Sequence, residues 1–345
     1  MIEIDGSYGE GGGQVLRTSL SLSILTGEPL KIRNIRANRS QPGLRAQHLA
    51  AVRAVAKITQ ADLVGDELNS PEVQICPQKL SGGSYQFDIS TAGALTLVLQ
   101  TIFLPLSLAD TPSIVTLTGG THVRWSPIWD YINGCWLPFM RKIGFCGEIE
   151  LKRAGFYPRG GGKAVIRILP MQKLHPINYV DRGDLIRIRG ISGVANLDQS
   201  IATRQKHQAL RRLYDICRDS KIRTIDLPSP SKGTFILLKA EFSKCGYACF
   251  SALGAPGKPA ESVADEAVEE LLGFLQTDGC VDHYMADQIL LPLSIIPGKS
   301  SYRTNQITRH LLTNIHVIEK FLPAKIILEG ELDAPGLVII HGTSL

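Results

Sequence analysis

The sequence predicts a mixed α/β (α+β) protein, built as a core of three βαβαββ repeats with a smaller α/β domain inserted into it. The order of helical and strand-like segments recurs three times along the 345 residues. Between the second and third recurrence, residues 181–279 follow a different order. A composition of 44% hydrophobic and 20% charged residues is typical of a globular chain long enough for two domains.

The first repeat opens with a short strand over residues 2–5 and a glycine-rich loop. Hydrophobic periodicity then predicts a helix at 15–25, a strand at 30–35, an amphipathic helix at 43–58, and strands at 61–64 and 73–76. The corresponding segments of the second repeat are 94–107, 113–118, 128–143, 146–151 and 162–169. Those of the third repeat are 286–295, 301–305, 309–321, 325–329 and 336–340.

The inserted domain has its own alternation of segments. Its predicted order is strand 185–190, helix 201–217, strands 234–241 and 247–252, and helix 260–277. An insertion is tolerated where its two ends lie close together at a surface. The sequence therefore predicts a repeat core over residues 1–180 and 280–345 and an inserted domain over residues 181–279.

Several classes of protein are disfavoured. The apolar run 95–108 is interrupted by Gln100 and Pro105 and is shorter than the roughly 20 residues that span a bilayer. The opening MIEIDGSYGE does not resemble a secretory signal. Seven scattered cysteines predict reduced thiols and a cytoplasmic location. Cys245 and Cys249 form a CxxxC pair without a second pair or a histidine cluster nearby, so no zinc site is predicted.

The basic residues are unevenly distributed. Between Glu28 and Asp62 the sequence has no acidic residue, and the segment 38–43 within it is typical of a loop that holds guanidinium groups near an anion. A second basic cluster covers residues 204–223, where Asp215 and Asp219 dilute it. Two interpretations of this second cluster stay open, a solvated helix face and a surface for nucleic acid.

The glycine-rich segment 6–14 lies between a predicted strand and a predicted helix. Unhindered N–H groups and the positive end of the helix suit a phosphate there. The segment lacks both the Gly-Lys-Ser/Thr ending of a P-loop and GxGxxG spacing. Glu10 is unexpected in an anion site unless a metal ion lies between the carboxylate and the phosphate. A tight turn remains the alternative, and it is the favoured interpretation for the second glycine-rich segment, 156–163.

The segment TRHLLTN contains the candidate nucleophile. Thr308 is a good N-cap and places His310 in the first helical turn, while Leu311 and Ile318 belong to a buried stripe. The positive helix end disfavours an imidazolium, so His310 would remain neutral and nucleophilic, with Asn314 on the same face. The pattern alone leaves a surface histidine and a catalytic histidine both open.

Six segments taken together resemble a known family. GEGGGQVLRTSLSLSILTG, RANRSQPGLRAQHL, TLVLQT, GFYPRGGG, YMADQ and HLLTNIHVIEKFLP occur here in the order and context of the RNA 3′-terminal phosphate cyclase family. The resemblance covers nearly the whole chain. It implies the same fold, a core of three repeats with a smaller insertion.

The resemblance also implies a nucleotidyl transfer reaction. In that family the histidine that matches His310 attacks the α-phosphorus of ATP, expels pyrophosphate and forms a histidine-AMP phosphoramidate. The AMP then passes to an RNA 3′-phosphate, and the neighbouring 2′-hydroxyl closes on the activated phosphate. The products are a 2′,3′-cyclic end and AMP. DNA lacks this hydroxyl, so the expected partner is an RNA with a 3′-phosphate end.

The resemblance implies the binding residues as well. Glu10 is expected to hold a divalent metal ion, Mg²⁺ or Mn²⁺, on the ATP phosphates. Residues expected to bind the triphosphate or the RNA end are Arg17, Arg39, Gln47 and His48. Residues expected to form the adenosine site are Gln100, Tyr284, Met285, Ala286, Asp287 and Gln288. Neither a membrane nor an obligate protein partner is expected.

One segment departs from the family pattern. Where some members carry an acid or an amide, this chain has His122, followed by Arg124 and Trp125, and no catalytic role is assigned to these residues. Aromatic residues, 6% of the chain, do not interleave with the arginines, which favours recognition of the RNA end over base stacking. A non-catalytic relative in ribosome biogenesis is disfavoured because His310 and Glu10 are present. The other alternative is an enolpyruvyl transferase. Such an enzyme would need neither a covalent nucleotide nor the HLxTN motif, so ATP-dependent labelling distinguishes the two.

Overall fold

The computed structural model describes residues 1–345, apart from the side chain of Tyr247. In the part of the chain that it describes, the strands form four mixed sheets of four strands each. Three of these sheets belong to the repeats and one to the insertion. The predicted fold class is thereby confirmed, whereas the domain boundaries inferred from the sequence stay a prediction.

The first repeat has the order predicted for it. Its elements are β1 (Ile2–Asp5), α1 (Gly13–Thr26), β2 (Leu30–Arg33), α2 (Ala46–Thr59), β3 (Asp62–Val64) and β4 (Val73–Cys76). The sheet order is β1-β2-β4-β3, with β1 parallel to β2 and the other pairs antiparallel. The glycine-rich loop therefore connects a strand to the start of a helix, as the sequence predicts.

The second repeat follows the same plan. Its elements are β5 (Ser84–Asp88), α3 (Leu95–Leu106), β6 (Ser113–Gly119), α4 (Trp129–Tyr131), a π-helix (Ile132–Trp136), α5 (Leu137–Lys142), β7 (Gly147–Arg153) and β8 (Gly162–Ile168). The sheet order is β5-β6-β8-β7, again with the first two strands parallel. The single helix predicted at 128–143 is thus interrupted by a π-helical turn, a feature frequent near functional sites.

The insertion interrupts the third repeat after its first strand. This strand, β9, has two residues (Asn178–Tyr179) and precedes the inserted elements β10 (Leu185–Ala195), α6 (Gln199–Leu213), β11 (Ser220–Asp226), β12 (Gly233–Phe242), β13 (Tyr247–Leu253) and α7 (Ala260–Leu275). The inserted sheet has the order β11-β10-β12-β13. The strands β5, β9 and β11 were not predicted from the sequence, and the two residues of β9 are too few for a periodic pattern.

The rest of the third repeat follows the insertion. Its elements are α8 (His283–Gln288), α9 (Leu290–Ser294), β14 (Gly298–Thr304), α10 (Arg309–Phe321), β15 (Lys325–Glu329) and β16 (Gly336–Gly342). The strand β14 pairs in parallel with β9, just as β2 pairs with β1 and β6 with β5. Buried side chains of all three repeats form one hydrophobic cluster, and the insertion has a second cluster of its own.

Two arginines of the second basic cluster form ion pairs within the insertion. Arg204 of α6 donates two hydrogen bonds to Glu261 of α7, and Arg212 pairs with Asp265 and Glu269 of the same helix. These ion pairs join α6 to α7. For Arg204 and Arg212 the structure therefore favours the solvated helix face over a surface for nucleic acid.

Several contacts attach the insertion to the second repeat, and two of them involve residues noted in the sequence. The ring of His122 packs between Phe156 and Phe235 of β12, with centroid distances of 4.9 and 4.5 Å, and its Nε2 lies 2.9 Å from Asp130 Oδ2. His122 is 1% exposed. The residue that departs from the family pattern is thus an interior contact between repeat and insertion.

A disulfide also joins the insertion to the second repeat. Cys135 of the π-helix is bonded to Cys249 of β13, across a sequence separation of 114 residues. The expectation of reduced thiols throughout is wrong for this pair, because the fold joins cysteines that look unrelated in the sequence. In addition, no helix among the described residues is long and apolar enough to cross a membrane.

Candidate active site

A cavity of about 720 Å³ opens where helices of all three repeats meet the insertion. Its volume lies within the range of roughly 300–1,000 Å³ that is usual for small-molecule sites. The walls come from α1, α3, α8, the start of α10, the loop that precedes α4, and β13 with α7 of the insertion. His310 and the predicted adenosine residues Gln100, Tyr284, Asp287 and Gln288 all line it.

His310 lies in the first turn of α10. Thr308 caps this helix, since its Oγ1 accepts a hydrogen bond of 3.1 Å from the backbone N–H of Leu311, which confirms the predicted cap. The imidazole is about half exposed, at 46%, and its Nδ1 lies 3.4 Å from Glu10 Oε2. Partial burial lowers the pKa of His310, Glu10 raises it, and Arg17 with Arg39 lowers it further. The net direction is downward, which keeps the ring neutral over a wider pH range.

The backbone of His310 is held by Gln14, a residue to which the sequence assigned no role. Gln14 Nε2 donates to the carbonyl oxygen of His310 at 3.2 Å and to Asp287 Oδ2 at 3.1 Å. Asn314 donates to the carbonyl oxygen of Asp287 at 2.8 Å and accepts from Thr18 at 2.8 Å. This network joins α1, α8 and α10 around the histidine. Gln14 belongs to the GEGGGQ motif, which was the signal available in the sequence.

The glycine-rich loop is surrounded by basic side chains. A Cβ atom on Gly12 would lie 3.1 Å from Arg39 Nη2, and one on Gly13 would lie 2.9 Å from Arg17 Nη1 and overlap His48 Nε2. Arg17, Arg39 and His48 therefore reach the loop backbone because no side chain is present there. Glycine N–H groups, a helix start and two guanidinium groups together make a cradle for an anion.

His48, Arg17 and the neighbouring Asp287 have displaced pKa values. His48 Nδ1 accepts from the backbone N–H of Arg45 at 3.2 Å, so the neutral tautomer carries its proton on Nε2, which faces Gly13. Burial and the nearby arginines lower the pKa of His48 to about 3. Burial lowers the pKa of Arg17 to about 10 and raises that of Asp287 to about 7, although Arg17 and Asp287 favour each other's charged forms.

The predicted phosphate-binding residues Arg39 and Gln47 also make contacts within the protein. Arg39 Nη2 lies 3.5 Å from Glu10 Oε2, which joins the basic loop to the glycine-rich loop. Gln47 accepts a hydrogen bond of 3.1 Å from the backbone N–H of Ala94, which joins α2 to the second repeat. The roles of these two residues towards phosphate stay predictions.

The predicted adenosine residues fall into two groups. Gln100 Nε2 donates to Gln288 Oε1 at 2.7 Å, and Gln288 Nε2 donates to the carbonyl oxygen of Tyr284 at 2.6 Å, so these three form a connected polar wall. Met285 and Ala286, in contrast, are 2% and 1% exposed and belong to the hydrophobic core. Their assignment to the adenosine site stays a prediction.

A metal site made by the protein alone is absent from the described residues, where no group of three or more His, Cys, Asp or Glu side chains is suited to an ion. Glu10 supplies one carboxylate beside His310 and the anion cradle. Mg²⁺ usually binds through one or two carboxylates together with water and substrate phosphates. The residues present therefore fit an ion that would arrive with a polyphosphate.

Comparisons with known proteins agree with one another. A family model described as RNA 3′-terminal phosphate cyclase matches residues 8–328. Proteins named RNA 3′-terminal phosphate cyclase share 43% identity over 333 residues in Nostoc punctiforme, 43% over 347 residues in Methanopyrus kandleri and 42% over 338 residues in Pyrococcus furiosus. These alignments cover 94, 99 and 98% of this chain and 95, 99 and 98% of the respective relatives.

A solved structure of the enolpyruvyl transferase NikO from Streptomyces tendae aligns with 49% of this chain and 33% of its own, at 13% identity and a TM-score of 0.27. A similarity of this size supports no conclusion about fold or function.

Proposed function

This chain belongs to the RNA 3′-terminal phosphate cyclase family, and on that premise we propose that its cavity converts an RNA 3′-phosphate to a 2′,3′-cyclic phosphate at the expense of ATP. The observation that supports this most strongly is the position of His310, which lies beside Glu10 and the anion cradle and lines a nucleotide-sized cavity.

His310 is the proposed nucleophile of the first step. Its Nδ1 faces Glu10, so Nε2 is the ring nitrogen that attacks the α-phosphorus of ATP. A P–N bond forms, the bond from the α-phosphorus to the bridging oxygen breaks, and pyrophosphate leaves. The lowered pKa of His310 favours the neutral ring that this attack requires.

The anion cradle stabilises the charge that develops on the phosphates. Arg17 and Arg39 supply guanidinium groups, His48 supplies an N–H from a ring that stays neutral, and the start of α1 supplies backbone N–H groups. Glu10 would hold the divalent ion. When bound, such an ion neutralises phosphate charge and polarises the phosphorus.

Another group of residues in the cavity lining recognises the adenosine. The amides of Gln100 and Gln288 are linked to each other and offer donors and acceptors to a base edge, while the partly exposed ring of Tyr284 offers an aromatic face. Asp287 connects this group to the histidine, because Gln14 donates both to Asp287 and to the carbonyl oxygen of His310.

The second and third steps act on the RNA. An oxygen of the RNA 3′-phosphate attacks the phosphorus of the histidine-bound AMP, the P–N bond breaks, and the electron pair returns to His310. The 2′-hydroxyl then attacks the activated 3′-phosphorus, AMP leaves, and the hydroxyl proton is lost to solvent. Activation is needed because a phosphate monoester has no good leaving group, and the adjacent hydroxyl benefits from enforced proximity.

The test is a cyclisation assay with an RNA that carries a labelled 3′-phosphate. With ATP and Mg²⁺ or Mn²⁺, the wild type should make the label resistant to phosphatase, whereas His310→Ala should not. His207→Ala, which removes an exposed histidine of the insertion, is the matched control. An RNA whose last sugar lacks the 2′-hydroxyl should stop at the adenylylated end. Phosphatase-sensitive label in all wild-type reactions would refute the proposal.

A further inference from the structure

The loop between β6 and α4, residues 120–128, is held firmly at both ends. Thr121 donates its backbone N–H to the carbonyl oxygen of Gly155 at 2.8 Å, and its own carbonyl oxygen accepts from the N–H of Trp129 at 2.9 Å. Thr96 donates to the carbonyl oxygen of Pro127 at 2.8 Å. Together with the buried ring of His122, these contacts give the loop a fixed conformation.

At the tip of this fixed loop, Trp125 extends into solvent. Its side chain is 96% exposed, and its φ of +63° lies in the left-handed region, which is unfavourable for a bulky residue. Strain of this kind is retained mainly at functional positions. Exposing a whole indole also forgoes the free energy that its burial would contribute. The loop therefore presents an aromatic face at a cost in stability.

Trp125 lies on the wall of the cavity that contains His310, and the exposed Arg124 next to it lies there too. An aromatic face beside a guanidinium group is the combination that single-stranded nucleic acids use, because bases stack on the ring and the cation attracts the backbone. The scarcity of aromatic residues in the sequence disfavoured base stacking. A single exposed ring at the mouth of the cavity is nevertheless enough to stack on one base.

Resting on the proposed function, we propose that Trp125 is a stacking platform for a base of the RNA strand next to its 3′ end, with Arg124 contacting the strand's phosphates. Adenine of ATP is the less suitable occupant. A recognised adenine is enclosed, and the enclosed wall of the cavity is made by Gln100 and Gln288, whereas the indole faces solvent. The RNA strand, in contrast, must leave the cavity through its mouth once its 3′-phosphate lies at His310.

The test measures RNA binding without chemistry. Fluorescence anisotropy of a labelled hexamer with a 3′-phosphate, in the absence of ATP, gives Kd for the wild type, Trp125→Ala and Trp125→Phe. A parallel series of hexamers has an abasic nucleotide at the last, second-last or third-last position. The matched control is Tyr214→Ala, which removes an exposed aromatic ring that lies beside Arg218 in the insertion.

Loss of stacking should weaken binding of the intact hexamer to Trp125→Ala by roughly 5- to 100-fold. Trp125→Phe should recover most of this loss, and Tyr214→Ala should bind like the wild type. One abasic position should weaken the wild type by a similar factor yet have no further effect on Trp125→Ala, which is the non-additivity expected of two groups in contact.

Wild-type RNA affinity in Trp125→Ala, or additive losses at all three abasic positions, would overturn the inference. So would a Trp125→Ala variant that binds RNA normally but is adenylylated by ATP alone more slowly, since the indole would then contact adenine. Failure of the proposed function would be seen separately, as a wild type that forms no histidine-AMP. The anisotropy measurement requires no catalytic step, so its result on Trp125 would stand in either case.

Discussion

The two parts of the proposed site are built in different ways. The proposed phosphate part combines charged groups, Glu10, Arg17 and Arg39, with a glycine backbone that lets them approach each other. The proposed nucleobase part combines neutral amides and aromatic rings, and the insertion forms part of the cavity wall there. On the proposed function, charge and geometry for the chemical step belong to the first part and recognition of the base to the second.

The two parts also differ in how they are assembled. Apart from α10, the proposed phosphate part comes from residues 10–48, which are neighbours in the sequence. The proposed nucleobase part brings together the second repeat, the insertion and α8, and the disulfide of Cys135 and Cys249 joins the second repeat to the insertion. Changes in the phosphate part should therefore affect the rate of the chemical step, and changes in the nucleobase part should affect affinity and stability.

The largest effect is expected from Arg17→Gln. This change removes a partly buried guanidinium from the cradle and leaves Asp287 without its cationic neighbour, so the rate of self-adenylylation should fall by about 10²- to 10³-fold. Single-turnover labelling with ATP that carries ³²P in the α-phosphate measures this rate. Arg218→Gln, an exposed arginine of the insertion, is the control. If the self-adenylylation rate fell by less than threefold, the phosphates of ATP would have to bind away from Arg17.

Removal of the disulfide should lower stability much more than it slows the chemical step. In the double variant Cys135→Ser with Cys249→Ser, the free energy of unfolding should fall by about 2–5 kcal/mol, because the bond closes a separation of 114 residues. Self-adenylylation of the folded variant should stay within a few-fold of wild type. Urea unfolding and the labelling rate provide the two readouts. A variant with wild-type stability that no longer labels would contradict the assignment of the chemical step to the phosphate part and of stability to the nucleobase part.

A smaller effect is expected for Gln100→Leu. The change leaves Gln288 Oε1 without its donor in a partly buried site, so KM for ATP should rise by about tenfold with little change in kcat. Gln86→Leu, on the exposed face of β5, is the matched control. Equal losses in kcat and kcat/KM would instead assign Gln100 to the chemical step.

The smallest change is expected for Glu10→Gln in the absence of metal and nucleotide. Glu10 raises the pKa of His310 while partial burial and Arg17 lower it, so loss of the carboxylate should lower this pKa further. The ring would then stay neutral to a lower pH. Titration of the His310 ring by NMR measures the midpoint, with the exposed His207 as an internal reference. An upward shift would show that Glu10 does not act on the imidazole.

The sequence predicted features that depend on neighbouring residues. The cap at Thr308, the glycine-rich loop between β1 and α1, and the repeated order of elements each depend on local pattern, and the structure has all three. The grouping of His310 with Gln100, Tyr284, Asp287 and Gln288 came from the family resemblance, and the structure places these residues around one cavity.

Other features depend on contacts between distant residues and could not be predicted in this way. Gln14 and His310 are separated by 296 positions, and Cys135 and Cys249 by 114. No local pattern marks such pairs. The interior role of His122 was hidden for the same reason, since Phe235 lies in the insertion. Exposure of Trp125 likewise follows from the path of its loop and not from its neighbours in sequence.

The central claim is that His310 carries the nucleotide. It is tested most directly by intact-protein mass spectrometry after incubation with ATP and Mg²⁺ or Mn²⁺ in the absence of RNA, followed by mapping of the modified peptide. The account predicts one AMP on the peptide that contains His310, and none on His310→Ala. No adduct on the wild type under these conditions, or an adduct on another residue such as His48, would contradict it.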